Sequence, residues 1–223
     1  ILNPFSDELP IPKALIPEPY LDWANKSESP GPGLGRQNSL GNQQHQRWCG
    51  EERVTGATTP LVYKIELKVD THSFTSSQVL PINSLGQPTG SFDERGKKVA
   101  AGPRTLPAST IYGFNGQFPG PMINAEYGQP ALVRFINKLD ENPMNLDRQD
   151  FGAPDYSFLT HLHNAHTAPE SDGNPGYSMN NGPYNHGYKP GMWVDNLYLN
   201  WPAGGDEREK QSFFWFHDHR MDH

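Results

Sequence analysis

Leu61-Val62-Tyr63-Lys64-Ile65-Glu66-Leu67-Lys68-Val69-Asp70 is the stretch that decides the fold. Apolar side chains fall at 61, 63, 65, 67 and 69, and all the residues between them except Val62 are charged. A period of two, rich in β-branched and aromatic residues, describes a strand with one face in a core and one toward water. Further strands are expected over Thr105–Phe114, Pro130–Asn137, Phe158–His163 and Gln211–His217. Between them lie turn-forming runs such as Asn115-Gly116-Gln117-Phe118-Pro119-Gly120-Pro121, a polar Gly-rich insertion at 83–104 and a long irregular connection over 169–210. Upstream, Pro10, Pro12, Pro17 and Pro19 exclude helix, so residues 1–60 read as an extended arm with a flexible loop at 30–45. No convincing amphipathic helix interrupts the pattern. Short strands separated by Gly/Pro turns build an all-β sandwich or barrel.

Composition narrows the function. The 223 residues suit one large domain, here 61–223, preceded by the arm at 1–60. Gly and Pro number 22 each, yet Phe 11, Tyr 9 and Trp 5 supply a core, so the chain is not of disordered composition. A net charge of -7 repels phosphate backbones and argues against nucleic-acid binding. No apolar run approaches the roughly 18 residues of a membrane helix. The chain opens Ile1-Leu2-Asn3, which suggests a processed or trimmed N-terminus. The single cysteine, Cys49, excludes an internal disulfide framework and any multi-cysteine metal site. Gly33-Leu34-Gly35 lacks the preceding strand and following helix of a phosphate loop. Asn25-Lys26-Ser27 is a glycosylation sequon.

Four of the nine histidines form two pairs, His161-Leu162-His163 and His217-Asp218-His219. Side chains at i and i+2 of a strand leave the same face, so each pair points two imidazoles into one space. The first pair follows Phe158-Leu159-Thr160. The second follows Phe213-Phe214-Trp215-Phe216, which reads as a strand buried on both faces. One such pair arises easily by chance. Two pairs, each at a strand end, point to a multi-histidine metal site with an aromatic rim that keeps it dry. Imidazole ligates copper, zinc, iron and nickel, and the pattern alone does not choose among them.

Thr160-His161-Leu162-His163 and Trp215-Phe216-His217-Asp218-His219-Arg220-Met221 resemble the first two copper motifs of multicopper oxidases. The branch they resemble most contains spore-coat laccase, bilirubin oxidase and phenoxazinone synthase. Phe5-Ser6-Asp7-Glu8-Leu9-Pro10-Ile11-Pro12 resembles that branch's N-terminal arm, and Tyr112 to Pro121 its first-domain turn before the strand that ends near Arg134. Ser171-Asp172-Gly173 lies downstream of the first pair as in the spore-coat laccases. The resemblance implies a cupredoxin-like Greek-key β-sandwich, the first of three such domains, here C-terminally incomplete. It implies that His161 is a type 2 copper ligand, that His163 and His217 bind one type 3 copper, and that His219 binds the other. It casts Asp172 as the acid that helps deliver protons during dioxygen reduction; a turn aspartate before Gly173 is the plainer alternative. Two positions depart from the family: Asn164 stands where Gly is frequent, and Arg220 where a small residue is.

The resemblance further implies oxidation of phenolic or aminophenolic substrates at a type 1 copper, with dioxygen reduced to water at the trinuclear cluster. A type 1 site needs a cysteine thiolate with two histidines. Cys49 sits in Arg47-Trp48-Cys49-Gly50, far from either pair, so the type 1 copper is not expected in this chain. The third and fourth trinuclear motifs are absent too. The chain is therefore expected to act with the remaining cupredoxin domains of the same oxidase, on the same precursor or a second chain, in an extracellular or secreted setting. An electron-transfer cupredoxin would need a nearby Cys, and the sequence argues against it; two alternatives stay open, a metal-ion (Mn/Cu) oxidase of the same family and a non-copper multi-His β-sandwich metalloenzyme. The last usually includes a carboxylate ligand, and Asp218 on a strand faces away from its two histidines. His166 reads as a neighbouring or surface residue and His223 as exposed. His45, His72 and His186 sit in loop or strand-edge contexts.

Overall fold

The computed structural model describes residues 7–18, 60–76, 78–79, 104–139, 157–167, 171–173, 190–191 and 193–219. The expected loops at 30–45 and 83–103, the Asn25 sequon, Cys49, His45, His186, Arg220 and His223 lie outside these residues. Eight strands follow in order: β1 (Leu61–His72), β2 (Gln78–Val79), β3 (Arg104–Thr105), β4 (Ser109–Phe114), β5 (Ala131–Asn137), β6 (Thr160–His163), β7 (Trp193–Tyr198) and β8 (Trp215–Asp218). Among the described residues there is no α-helix, and 3-10 turns lie at Ala203–Gly205 and Glu207–Glu209. The all-β class is as the periodicity predicts.

The main sheet has the order β4-β1-β5-β7. β1 runs antiparallel to β4 and parallel to β5, and β5 runs antiparallel to β7. The arm completes this sheet. β4 covers β1 only over Leu67–His72, and beside Val62 the same edge is taken by Glu18, with backbone bonds in both directions. Ala14 bridges Met122 in the same extended run. β6 and β8 form a separate antiparallel ribbon, and β2 pairs with β3.

Alternation in β1 works as read: Tyr63, Ile65 and Leu67 are buried on one face. They join Val133 and Phe135 of β5, Val194 and Tyr198 of β7, and Phe158 and Leu159, which lead into β6. Leu162 and Phe216 bring the β6–β8 ribbon onto this core. Phe216 stands 5.0 Å from Phe114 and 5.7 Å from Phe135, ring to ring. The result is two sheets face to face, with the ribbon's other face left for the histidines. Each fully buried large apolar side chain here contributes about 1.5–3 kcal/mol.

Three sequence expectations need correction. The strand expected over Thr105–Phe114 is broken: β3 ends at Thr105 and β4 begins at Ser109, because Pro107 has no N–H for a ladder. Arg104 belongs to β3 and so closes the 83–104 insertion one residue early. The connection over 169–210 contains β7. β7 escapes the alternation test because its outward face is buried as well. Asp195, 3% exposed, pairs in two hydrogen bonds (2.8 and 3.1 Å) with Arg134 of β5, and the Arg134 guanidinium lies 3.4 Å over the Trp193 ring. Charged residues buried on the outward face hide a strand from a hydrophobic-pattern reading.

Candidate metal centre

Register between β6 and β8 builds the centre. His161 lies directly opposite His217, Leu162 opposite Phe216, and His163 opposite Trp215. Leu162 and Phe216 point into the core, so the imidazoles necessarily share the other face. His219 stands one residue beyond β8 and extends the pairing, its N–H donating to the Leu159 carbonyl (2.7 Å). Asp218 faces away from the histidines, as its position requires, and its carboxylate accepts from Leu159 N–H (2.9 Å).

The four rings form one cluster. His161 is 4.9 Å from His163, 6.0 Å from His217 and 4.8 Å from His219, centre to centre. His217 is 4.9 Å from His163 and 5.2 Å from His219. His163 Nε2 and His217 Nε2 converge to 2.9 Å. His161 Nδ1 donates to the Asp172 carbonyl at 2.5 Å, and His217 Nδ1 to the Asp218 carbonyl at 2.5 Å. A carbonyl only accepts, so both rings carry their proton on Nδ1 and keep the Nε2 lone pair for a ligand. Burial, followed by the charges of His219, His163 and His161, holds the His217 imidazole below its ordinary pKa, against the opposing pull of the Asp218 carbonyl. The neutral form is the one that binds metal.

The donor set fits copper in kind and fits only part of a cluster in number. His219 Nδ1 is buried with no hydrogen-bond partner, which a ligand would supply. Among the described residues no three donors converge as a complete metal site. The closest convergence is the His163–His217 pair, the two residues that the motif resemblance assigns to one metal.

Asp172 is in place beside His161. Its Oδ1 lies 3.4 Å from His161 Nδ1, and its side chain is about a third exposed. The carbonyl, at the shorter distance, is the true hydrogen-bond partner. The carboxylate flanks the ring and opens toward solvent. Trp215 stacks on His163 at 4.3 Å and on His217 at 4.5 Å, with interplanar angles of 11° and 22°.

The expectation that Phe213–Phe216 is buried on both faces is not met: Phe213 is 70% exposed and Trp215 46%. Only Phe214 and Phe216 are half-buried, because position parity sends 213 and 215 to the histidine face, which nothing in the described residues covers.

Asn164 explains one departure from the family pattern. Its φ is 67°, the left-handed region where Gly is the default and Asn is tolerated. The substitution thus preserves the backbone bend after β6, and Asn164 Nδ2 also donates to the Phe213 carbonyl (3.4 Å). His166 faces Glu209 at 3.8 Å with both side chains half exposed, a surface pairing. His72 packs on Phe74 and Phe118 at the end of β1, away from the cluster's four rings. Sequence reasoning passed over Ser171 and Gly173 as functional. Ser171 is 4% exposed, and a Cβ on Gly173 would meet the Thr160 carbonyl oxygen at 2.0 Å. The one available signal was Gly directly after Asp172.

Comparison with known proteins finds similarity to copper oxidases. Residues 97–148 match the sequence profile of the family described as multicopper oxidase, a span that includes β3, β4 and β5. A laccase of Haloferax volcanii is 32% identical over 117 residues, covering 43% of this chain and 20% of the laccase. A laccase of Bacillus subtilis (strain 168) is 25% identical over 125 residues, covering 53% of this chain and 23% of the laccase. The chain thus spans between a fifth and a quarter of the length of these curated relatives. A multi-copper oxidase structure from Pseudomonas thermotolerans overlaps 73% of this chain and 26% of its own, with 20% identity and a TM-score of 0.39. By the matched profile segment and the laccase relatives, the chain is similar to multicopper oxidases.

Proposed function

We propose that this chain contributes its four histidines to the trinuclear copper cluster of a laccase-like oxidase, which oxidises phenolic or aminophenolic substrates and reduces dioxygen to water. The observation that carries the reading is the β6–β8 register, which puts His161, His163, His217 and His219 on one face with His163 and His217 Nε2 atoms 2.9 Å apart. His161 is the type 2 ligand in this reading, His163 and His217 share one type 3 copper, and His219 serves the other. Bound copper supplies the one-electron redox chemistry and the reduction of dioxygen. His161 and His217 hold Nε2 toward the cluster because their Nδ1 protons are committed to carbonyls. Asp172 keeps a carboxylate beside His161 on the solvent side, which suits it to passing protons inward. Trp215 limits the freedom of two ligand rings by stacking on both.

The remaining ligands and the type 1 copper come, in this reading, from further cupredoxin domains, on the same precursor or a second chain. Their place is the uncovered face that carries Phe213 and Trp215. Residues 61–223 form the first domain, with 1–60 as its arm. An extracellular or secreted location accompanies the assignment.

The test is copper content and oxygen uptake of the full-length protein. About four coppers per assembly and oxygen consumption with a phenol are expected; His217→Ala should remove the type 3 absorption and lower turnover at least 100-fold. Zinc in place of copper, or a His217→Ala protein that reduces dioxygen at the normal rate, overturns the assignment.

A further inference from the structure

Among the described residues β7 ends the main sheet, and its outer side meets the histidine centre through three residues. Leu197 N–H donates to Ser171 Oγ at 3.0 Å, and Ser171 is almost wholly buried. The next residue, Asp172, gives its carbonyl oxygen to His161 Nδ1. Gly173 then crosses the backbone of β6, with φ 70°, so near that a Cβ would sit 2.0 Å from the Thr160 carbonyl oxygen and 2.5 Å from its carbon. Both atoms are backbone and cannot move aside as a flexible side chain would. Only glycine lets the turn approach this closely, and only this approach puts the Asp172 carbonyl at the imidazole.

We propose that Ser171 and Gly173 are positioning residues: the turn Ser171–Gly173 braces β7 against β6 and locks the His161 ring with its proton on Nδ1 and its Nε2 toward the cluster. The lock works through the backbone of Asp172, so it is separate from any proton transfer by the Asp172 carboxylate. An imidazole without a fixed acceptor at Nδ1 distributes its proton over both nitrogens and rotates about its side-chain bonds. Partners that orient ligand imidazoles in this way are worth about 10–100-fold in metal affinity. The value of this brace to the protein rests on the copper reading given above, but the lock itself exists in the metal-free chain.

The experiment therefore has a metal-free arm. Full-length protein carrying labelled histidine is stripped of metal, and the His161 ring signal is assigned by its loss in His161→Gln. The ring carbon shifts report which nitrogen holds the proton. In the parent protein His161 should be a single Nδ1–H tautomer. In Gly173→Ala it should be a mixture, and copper(II) titration should show a 10–100-fold weaker site. Ser171→Ala, which keeps glycine and so preserves the turn's conformation, should give a several-fold loss, and Ser171→Thr should restore it by returning the hydroxyl. A Gly173→Ala or Ser171→Ala protein with the parental tautomer and copper affinity overturns the brace. Ser171→Thr behaving like Ser171→Ala also overturns it, since that marks packing and not the hydroxyl. A locked His161 in a parent protein that binds no copper upholds the brace and removes the copper reading instead.

Discussion

Arg134→Met removes the cation from the buried pair that joins β5 to β7. Arg134 is 4% exposed and Asp195 3%, and the two make hydrogen bonds of 2.8 and 3.1 Å. Methionine fills much of the same volume, so the loss is electrostatic more than steric. Stripping one partner from a buried pair costs about 3–5 kcal/mol, because the remaining charge keeps its desolvation penalty. The lost contact of the guanidinium with the Trp193 ring adds roughly 1 kcal/mol. The cost must also depend on pH. Burial pushes the Asp195 carboxyl up to about 6, against the opposing pull of the Arg134 hydrogen bonds and charge and of the Lys64 charge. Deleting Arg134 removes the largest opposing influence and raises it further. A carboxyl whose folded pKa lies above its unfolded value binds a proton in the native state first, so its contribution to stability is complete below the unfolded value, near 4, and is lost as pH rises through the folded one. Urea unfolding at pH 5 and pH 8 measures both effects. The variant should be destabilised at pH 8 by about 4 kcal/mol and by clearly less at pH 5. A loss under about 1 kcal/mol at pH 8, or a loss that grows as pH falls, would refute the reasoning.

Two further outcomes follow from the ribbon. Phe216→Ala takes away the ring that joins β8 to Phe114 and Phe135; half-buried as it is, about 2–4 kcal/mol should be lost, and thermal unfolding that falls by less than a degree speaks against the two-sheet packing. Asp218→Ala removes the acceptor for Leu159 N–H and should cost about 1–3 kcal/mol while leaving His217 and His219 on the same face, so copper content read by elemental analysis should change little.

The alternation in Leu61–Asp70 needs no tertiary information to interpret, because β1 has one wet face and one dry face. The His-x-His pairs were legible for the same reason: residues two apart on a strand share a side wherever the strand ends up. The turn after β4 was legible from Asn115-Gly116, and the structure shows why, with Asn115 at φ 56° accepting from Glu66 N–H (2.8 Å). β7 was not legible. Its Asp195 and Asn196 read as loop polarity, and only the position of Arg134 on the neighbouring strand makes a buried aspartate acceptable. The burial of Phe213 and Trp215 was misjudged because an apolar run states a preference for leaving water without naming the surface that removes it.

The sequence by itself determined which residues could act as ligands, that each pair would share a face, and that the chain would form sheets. These are local properties, set by side-chain chemistry and by the two-residue period of a strand. Tertiary structure alone decided that the two pairs meet. The register that sets His161 opposite His217 depends on Leu162 and Phe216 finding the same core, across more than fifty residues of chain. It also decided that the Ser171–Gly173 turn reaches His161, since a contact at 2.5 Å between a carbonyl and an imidazole arises from how two sheets pack and leaves no periodic mark in the sequence.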